Sequence, residues 1–283
     1  MSSRFRRGAA SGVAGLLLCG VLAFVWKADP PLRVCADPNN LPFSNRQGQG
    51  FENHIATLLA KDLHRRLEYE WAPQWRGFIR KTLDAGTCDV VLGIPAESDR
   101  LRTTEPYYSS TYVFLSRRDR GPRVRSFDDP ALRHARIGIH FVGDDYANPP
   151  PAYALGRRHL ADRVVGYSLM AGYDKTDPPA ELVHAVARGD VDVAVVWGPL
   201  AGYYAAREAT PLELAPVTPA VDSGGLRFTF DIAAGVRRED STLAARLDQS
   251  LRRHRSEIDS ILRAYHVPLV HTGCAESKEG SCG

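Results

Sequence analysis

One unit occurs twice in this chain, about a hundred residues apart, and it constrains the fold more than any other feature. The first copy reads Thr82-Leu83-Asp84-Ala85-Gly86-Thr87-Cys88-Asp89-Val90-Val91-Leu92-Gly93-Ile94-Pro95. The second reads Ala187-Arg188-Gly189-Asp190-Val191-Asp192-Val193-Ala194-Val195-Val196-Trp197-Gly198-Pro199. Each runs from a helix end through a glycine suited to the left-handed C′ position, an Asp and a short apolar β-branched run to a Gly/Pro stop. A short apolar run entered from a helix reads as a buried parallel strand, because helices must cover both faces of such a sheet. Ligands on open α/β sheets sit beyond the carboxyl ends of the strands. The two copies therefore predict an α/β chain with two lobes, each with its own sheet and each presenting a Gly/Pro loop to a central cleft.

A chain of 283 residues is long for one core and comfortable for two. With 44% hydrophobic and 24% charged residues and no low-complexity stretch, its body is globular. The formal charge of +3 misleads, because residues 1–28 hold Arg4, Arg6, Arg7 and Lys27 and no acid. Without them 32 basic residues face 33 acidic ones, which is no electrostatic footprint for nucleic acid.

Residues 1–28 read as a signal peptide or an N-terminal anchor: a positive start, then an apolar segment from Gly8 to Trp26. The segment approaches the roughly 20 residues needed to cross a bilayer, so an uncleaved copy is the chain's one expected route to a membrane. Val21-Leu22-Ala23 supplies a small-residue cleavage pattern, whereas Leu18 before Cys19 argues against a lipoprotein. The expected destination is an oxidising compartment reached by export. With Cys19 set aside, four cysteines remain, an even number that suits an oxidising compartment. Cys35 lies in a first strand and Cys88 opens the strand that parallel topology places beside it, so Cys35–Cys88 and Cys274–Cys282 are the expected disulfides.

Along the chain, the first strand (residues 32–36) runs into the Asp-, Asn- and Pro-rich loop 37–45, beyond a strand end. A helix from Phe51 carries Ile55, Leu58, Leu59 and Leu63 on one face, and Leu67 to Trp71 is a strand. Helices are expected over 76–83 and, as one rod, over 243–264. Long strands are expected over 111–116 and 226–236, the latter crossing back to the first lobe. The resulting division is 32–117 plus 226–270 for lobe one, 118–225 for lobe two and 271–283 for a tail.

These residues resemble a known family. Asp37-Pro38-Asn39-Asn40-Leu41-Pro42-Phe43, Gly50-Phe51, Trp75-Arg76-Gly77-Phe78, the Asp89-Val90-Val91 run and Pro106-Tyr107-Tyr108 occur in the order seen in type II periplasmic solute-binding proteins of the amino-acid-binding class, family 3. The resemblance implies two α/β lobes joined by two crossing strands around a central cleft. More narrowly, Arg33 to Asn45 and Thr103 to Phe114 look like the quinoprotein-dehydrogenase-associated branch, which includes the J-type accessory proteins of methanol oxidation. That branch implies a dehydrogenase partner using pyrroloquinoline quinone (PQQ), with its cytochrome c as a further partner.

In amino-acid binders an Arg grips the ligand carboxylate and an Asp takes the ammonium. Here Arg100 is the one near counterpart of that Arg, and Trp197 stands where the Asp falls. The acids Asp144 and Asp145 replace the anion loop of lobe two. Free amino acids are therefore unexpected ligands, and an unknown small ligand or a peptide segment of a partner takes their place. The resemblance and the strand-end loops together nominate Asp37, Asn39, Phe43, Trp75, Pro95, Arg100, Tyr107, Asp144, Tyr146 and Trp197 as the cleft set. No Gly-x-Ser-x-Gly, His-Glu-x-x-His, P-loop or strand-linked Rossmann pattern occurs, so no catalysis, cofactor or metal is expected. The competing expectation is a receptor that hands a small non-amino-acid solute to an ABC transporter.

Overall fold

The computed structural model describes residues 29–141, 149–169 and 177–270. The segment 1–28, the tail 271–283 with Cys274 and Cys282, and Asp144 and Tyr146 lie outside them.

The first repeated unit delivers β3 (Val90–Pro95), which pairs in parallel with β1 (Leu32–Ala36), itself parallel to β2 (Leu67–Trp71). The connections are α1 (Phe51–Asp62) and the short α2 (Phe78–Lys81). Strand β4 (Tyr108–Arg117) then leads to β5 (Ile137–Phe141), α3 (Pro150–Arg157), β6 (Val164–Ser168) and α4 (Glu181–Arg188). The second unit delivers β7 (Val193–Trp197), parallel to β5, which is parallel to β6. The orders β2-β1-β3 and β6-β5-β7 are thus the same arrangement made twice. Next come α5 (Gly198–Ala205), β8 (Leu212–Pro216), β9 (Thr229–Val236), α6 (Ser241–Arg253) and α7 (Arg255–Ala264).

Both repeated strands are covered on both faces. Val90 and Leu92 join a core with Phe51, Ile55, Leu247 and Leu262, while Val91 turns to Cys35, Phe78, Leu83 and Cys88. Ala194 and Val196 pack on Leu182, Val183 and Val186, while Val193 and Val195 face Phe114, Ile137 and Phe228. Period-2 alternation with apolar residues on both sides is what a sandwiched parallel strand requires.

The crossing strand β4 belongs to both halves. Residues 108–111 pair antiparallel with β9, residues 112–116 pair antiparallel with β7, and its far end also pairs with β8. The hydrogen-bonded path is therefore continuous through both copies, rather than two separate sheets, because one strand changes partners along its length. The return crossing also differs from expectation. It is interrupted at Phe228, which packs with Phe114 and Phe127 in one core, whereas Ile232 four residues on lies in the other.

Two helix expectations are corrected. The 76–83 helix shrinks to α2, because Gly77 adopts φ 84°, a left-handed conformation that starts the turn late. The single C-terminal rod is two helices meeting at His254, whose backbone leaves helical geometry and whose ring pairs with Asp62 and Glu257. The Cys35–Cys88 disulfide is formed, with Cα atoms 5.5 Å apart.

Candidate functional site

The loop after β1 is held before it reaches the cleft. One oxygen of Asp37 accepts the Asn39 amide (2.8 Å) and the other the Gln74 amide (2.7 Å), tying two loops together. The loop in turn satisfies the start of α1: Phe51 N–H donates to the Pro42 carbonyl (2.8 Å) and Glu52 N–H to that of Phe43 (2.9 Å). Those amides have no partner inside the helix, so the loop both caps and aims it. Gly50 is required there, since a Cβ would sit 2.0 Å from the Phe43 carbonyl oxygen. The Asn53 side chain completes the turn by accepting the Asn45 and Gly50 amides, each at 3.0 Å.

This geometry delivers Phe43 and Glu52 to a cavity of about 290 Å³ between the repeated strands. Pro95 and Gly93 come from the end of β3, Trp197 from the end of β7, Tyr108 and Tyr112 from β4, and Phe230 and Ile232 from β9. Asn40 and Gln74 supply the neutral polar groups. One wall is a triad of edge-to-face rings: Tyr112 and Trp197 centroids are 5.3 Å apart, Trp197 and Phe230 5.9 Å.

Among the described residues Glu52 is the one carboxyl that lines the cavity. It is 7% exposed and packs against Gly93, where a Cβ would lie 2.3 Å from its Oε1; at φ +74° that glycine also holds a left-handed backbone. Burial raises its pKa to about 8. Tyr112 is half-buried, and desolvation pushes its pKa up to about 12.

Of the ten nominated residues, Phe43, Pro95 and Trp197 meet at this cavity. Asp37 and Asn39 sit one layer behind, in the clamp to Gln74. Tyr107 is buried behind β3, its hydroxyl accepting the Gly93 amide at 3.1 Å. Trp75 is 48% exposed and lies outside the lining. Arg100 turns away: its guanidinium pairs with Asp84 and is 57% exposed. Glu52, Tyr108, Tyr112 and Phe230 were not among the nominated residues. Glu52 stands in the polar run Glu52-Asn53-His54 at the helix start, where the sequence alone does not separate a cavity acid from a solvated one.

Among the described residues no lysine or arginine lines the cavity, so none of them offers a carboxylate grip. Among the described residues no cluster of three His, Cys, Asp or Glu could hold a metal ion, and no helix is long and apolar enough to cross a membrane.

Residues 32–267 match the model of bacterial extracellular solute-binding proteins, family 3. The chain is 34% identical to Protein MoxJ of Methylorubrum extorquens over 84% of this chain and 81% of that protein. The crystal structure of MxaJ from Methlophaga aminisulfidivorans MPT superimposes with a TM-score of 0.75 at 27% identity, covering 84% of this chain and all of that one. The crystal structure of the periplasmic binding protein XoxJ from Methylobacterium extorquens AM1 gives a TM-score of 0.69 at 34% identity, over 85% and 99% of the two chains.

Proposed function

Because the chain belongs to the bacterial extracellular solute-binding proteins of family 3, we propose that it acts in the periplasm as a non-catalytic accessory protein. In this reading it docks on a PQQ-dependent alcohol dehydrogenase of the methanol-oxidising type and supports its activity. What supports the reading is the agreement between three J-named relatives and a cleft without the charge pair of an amino-acid receptor. Trp197, which the resemblance sets where amino-acid receptors carry the ammonium-binding Asp, lines the cavity, and Arg100 pairs with Asp84.

The lobes are taken as residues 32–117 plus 226–270 and 118–225, moving about the crossings at β4 and Phe228. Closure requires contacts that differ between the open and closed states, and a segment of the dehydrogenase or a small ligand in the cavity supplies them. The test is sedimentation of the purified protein with the purified dehydrogenase. Co-sedimentation is expected. Independent sedimentation, together with micromolar calorimetric binding of a nutrient solute, gives the case to an ABC-transporter receptor.

A further inference from the structure

The cavity joins two features that its surroundings leave without a counterpart. The Glu52 carboxyl is nine-tenths buried, faces the cavity, and among the described residues has no hydrogen-bond or ion partner. Opposite it stands the ring wall of Tyr112, Trp197 and Phe230, with Phe43 and Tyr108 completing the lining. We infer that this cavity takes a small organic cation, an alkylammonium group carrying no carboxylate, with Glu52 as its anionic anchor and the aromatic rings as its walls. The inference rests on the cleft being a binding site, as in the accessory reading, but not on the dehydrogenase.

Ring faces are electron-rich and attract a cation, most strongly where water is excluded. A neutral apolar guest would leave the buried carboxyl unpaired, and an anion would meet no positive group among the described lining residues. A free amino acid brings a carboxylate for which the described lining offers no cation. An alkylammonium group satisfies both features at once. At about 290 Å³ the cavity lies near the lower end of the roughly 300–1,000 Å³ range of ligand pockets, which suits a small headgroup.

The titratable groups facing Glu52 are the phenols of Tyr69 on β2, of Tyr107 just before β4 and of Tyr108 at its start; burial raises all three, and they stay neutral. With its pKa raised to about 8 by burial, Glu52 is largely protonated near neutral pH. A bound cation favours the carboxylate, so its entry releases a proton to solvent and its affinity rises with pH.

The test is calorimetry of the mature protein with n-butylammonium and tetramethylammonium, against n-butanol as the neutral counterpart. The cations are expected to bind about tenfold or more tightly than the alcohol, and to tighten between about pH 6 and pH 8.5. In Glu52→Gln, an isosteric change whose folding is checked by its melting transition, the preference and the pH dependence should both vanish. Trp197→Ala should weaken the cations while keeping the pH dependence. Nα-acetyl-lysine methylamide serves as the protein-borne source: tighter binding than n-butylammonium assigns the cation to a partner's lysine, and weaker binding assigns it to a free amine. Equal binding of alcohol and cation, or an unchanged Glu52→Gln variant, overturns the inference. The dehydrogenase assay on the same variant is read separately, so failure of the accessory reading leaves this result standing.

Discussion

Arg33 grips Asp89 at three points, through its backbone amide (3.2 Å), Nε (3.1 Å) and Nη2 (2.6 Å), while its Nη1 donates to the Gly86 carbonyl at 2.8 Å. Arg136 and Asp192 repeat this arrangement, at 2.8, 3.3 and 3.0 Å, with Nη2 donating to the Gly189 carbonyl at 2.7 Å. The partners are 56 residues apart in both cases. The repeated Gly-x-x-Asp spacing is thus a clamp, in which an arginine at the start of the neighbouring strand, or just before it, holds both the aspartate and the glycine turn.

The two clamps should differ in worth because their burial differs. The first leaves 37% of the Arg33 and 11% of the Asp89 side chain exposed, the second 55% and 40% of Arg136 and Asp192. Burial would raise the Asp89 pKa, but the hydrogen bonds from Arg33 hold it below the ordinary value. Asp89→Ala also strips a partner from Arg237, so it should cost about 2–3 kcal/mol. Asp192→Ala should cost about 1 kcal/mol or less. Urea unfolding of the two variants checks this; equal costs would contradict it.

The Cys35–Cys88 bond closes a loop across a sequence separation of 53 residues, joining β1 to the entry of β3. Chain entropy assigns such a loop about 4 kcal/mol of stabilisation. Cys88→Ser and Cys35→Ser should each lower Tm clearly and by similar amounts, and the double variant should cost no more than either alone. A Tm unchanged within a degree or two in calorimetry would refute this.

The repeated unit, its glycine caps and the disulfide were legible in the sequence because each is local or follows from strand adjacency. Phe43, Pro95 and Trp197 were legible because they follow strand ends, where cleft residues belong. Glu52 was not, since its inward aim comes from two loop carbonyls that fix the helix start, and neither is visible in spacing. Phe230 and Ile232 depend on where the return strand crosses. The break at His254 was hidden because Leu251 and Ile258, seven residues apart, keep one apolar stripe across it, with no glycine or proline to mark the stop.

Two buried groups should shape the pH dependence of stability, in different windows. Glu52 rises from 4.5 to about 8 on folding, so the native state binds the proton more tightly. Its contribution is complete below about pH 4.5 and is lost as pH rises through 8. Glu52→Gln should match the parent at about pH 5 and exceed it in Tm at about pH 8.5. His140 falls from 6.5 to about 4, because burial disfavours the imidazolium although its Nε2–H donates to the Pro179 carbonyl at 3.2 Å. Its contribution is present above 6.5 and is lost as pH falls through 4. Chemical unfolding across pH 4–9 reads both slopes; a flat profile in parent and variant alike would count against them.

The central claim, an accessory to a PQQ-dependent dehydrogenase, is tested most directly by deleting the gene and assaying periplasmic alcohol dehydrogenase activity with PQQ supplied. The account predicts that activity is lost in the deletion strain and restored when the purified protein is added to its periplasmic extract. Unchanged activity in the deletion strain, with a solute-uptake defect in its place, would contradict it.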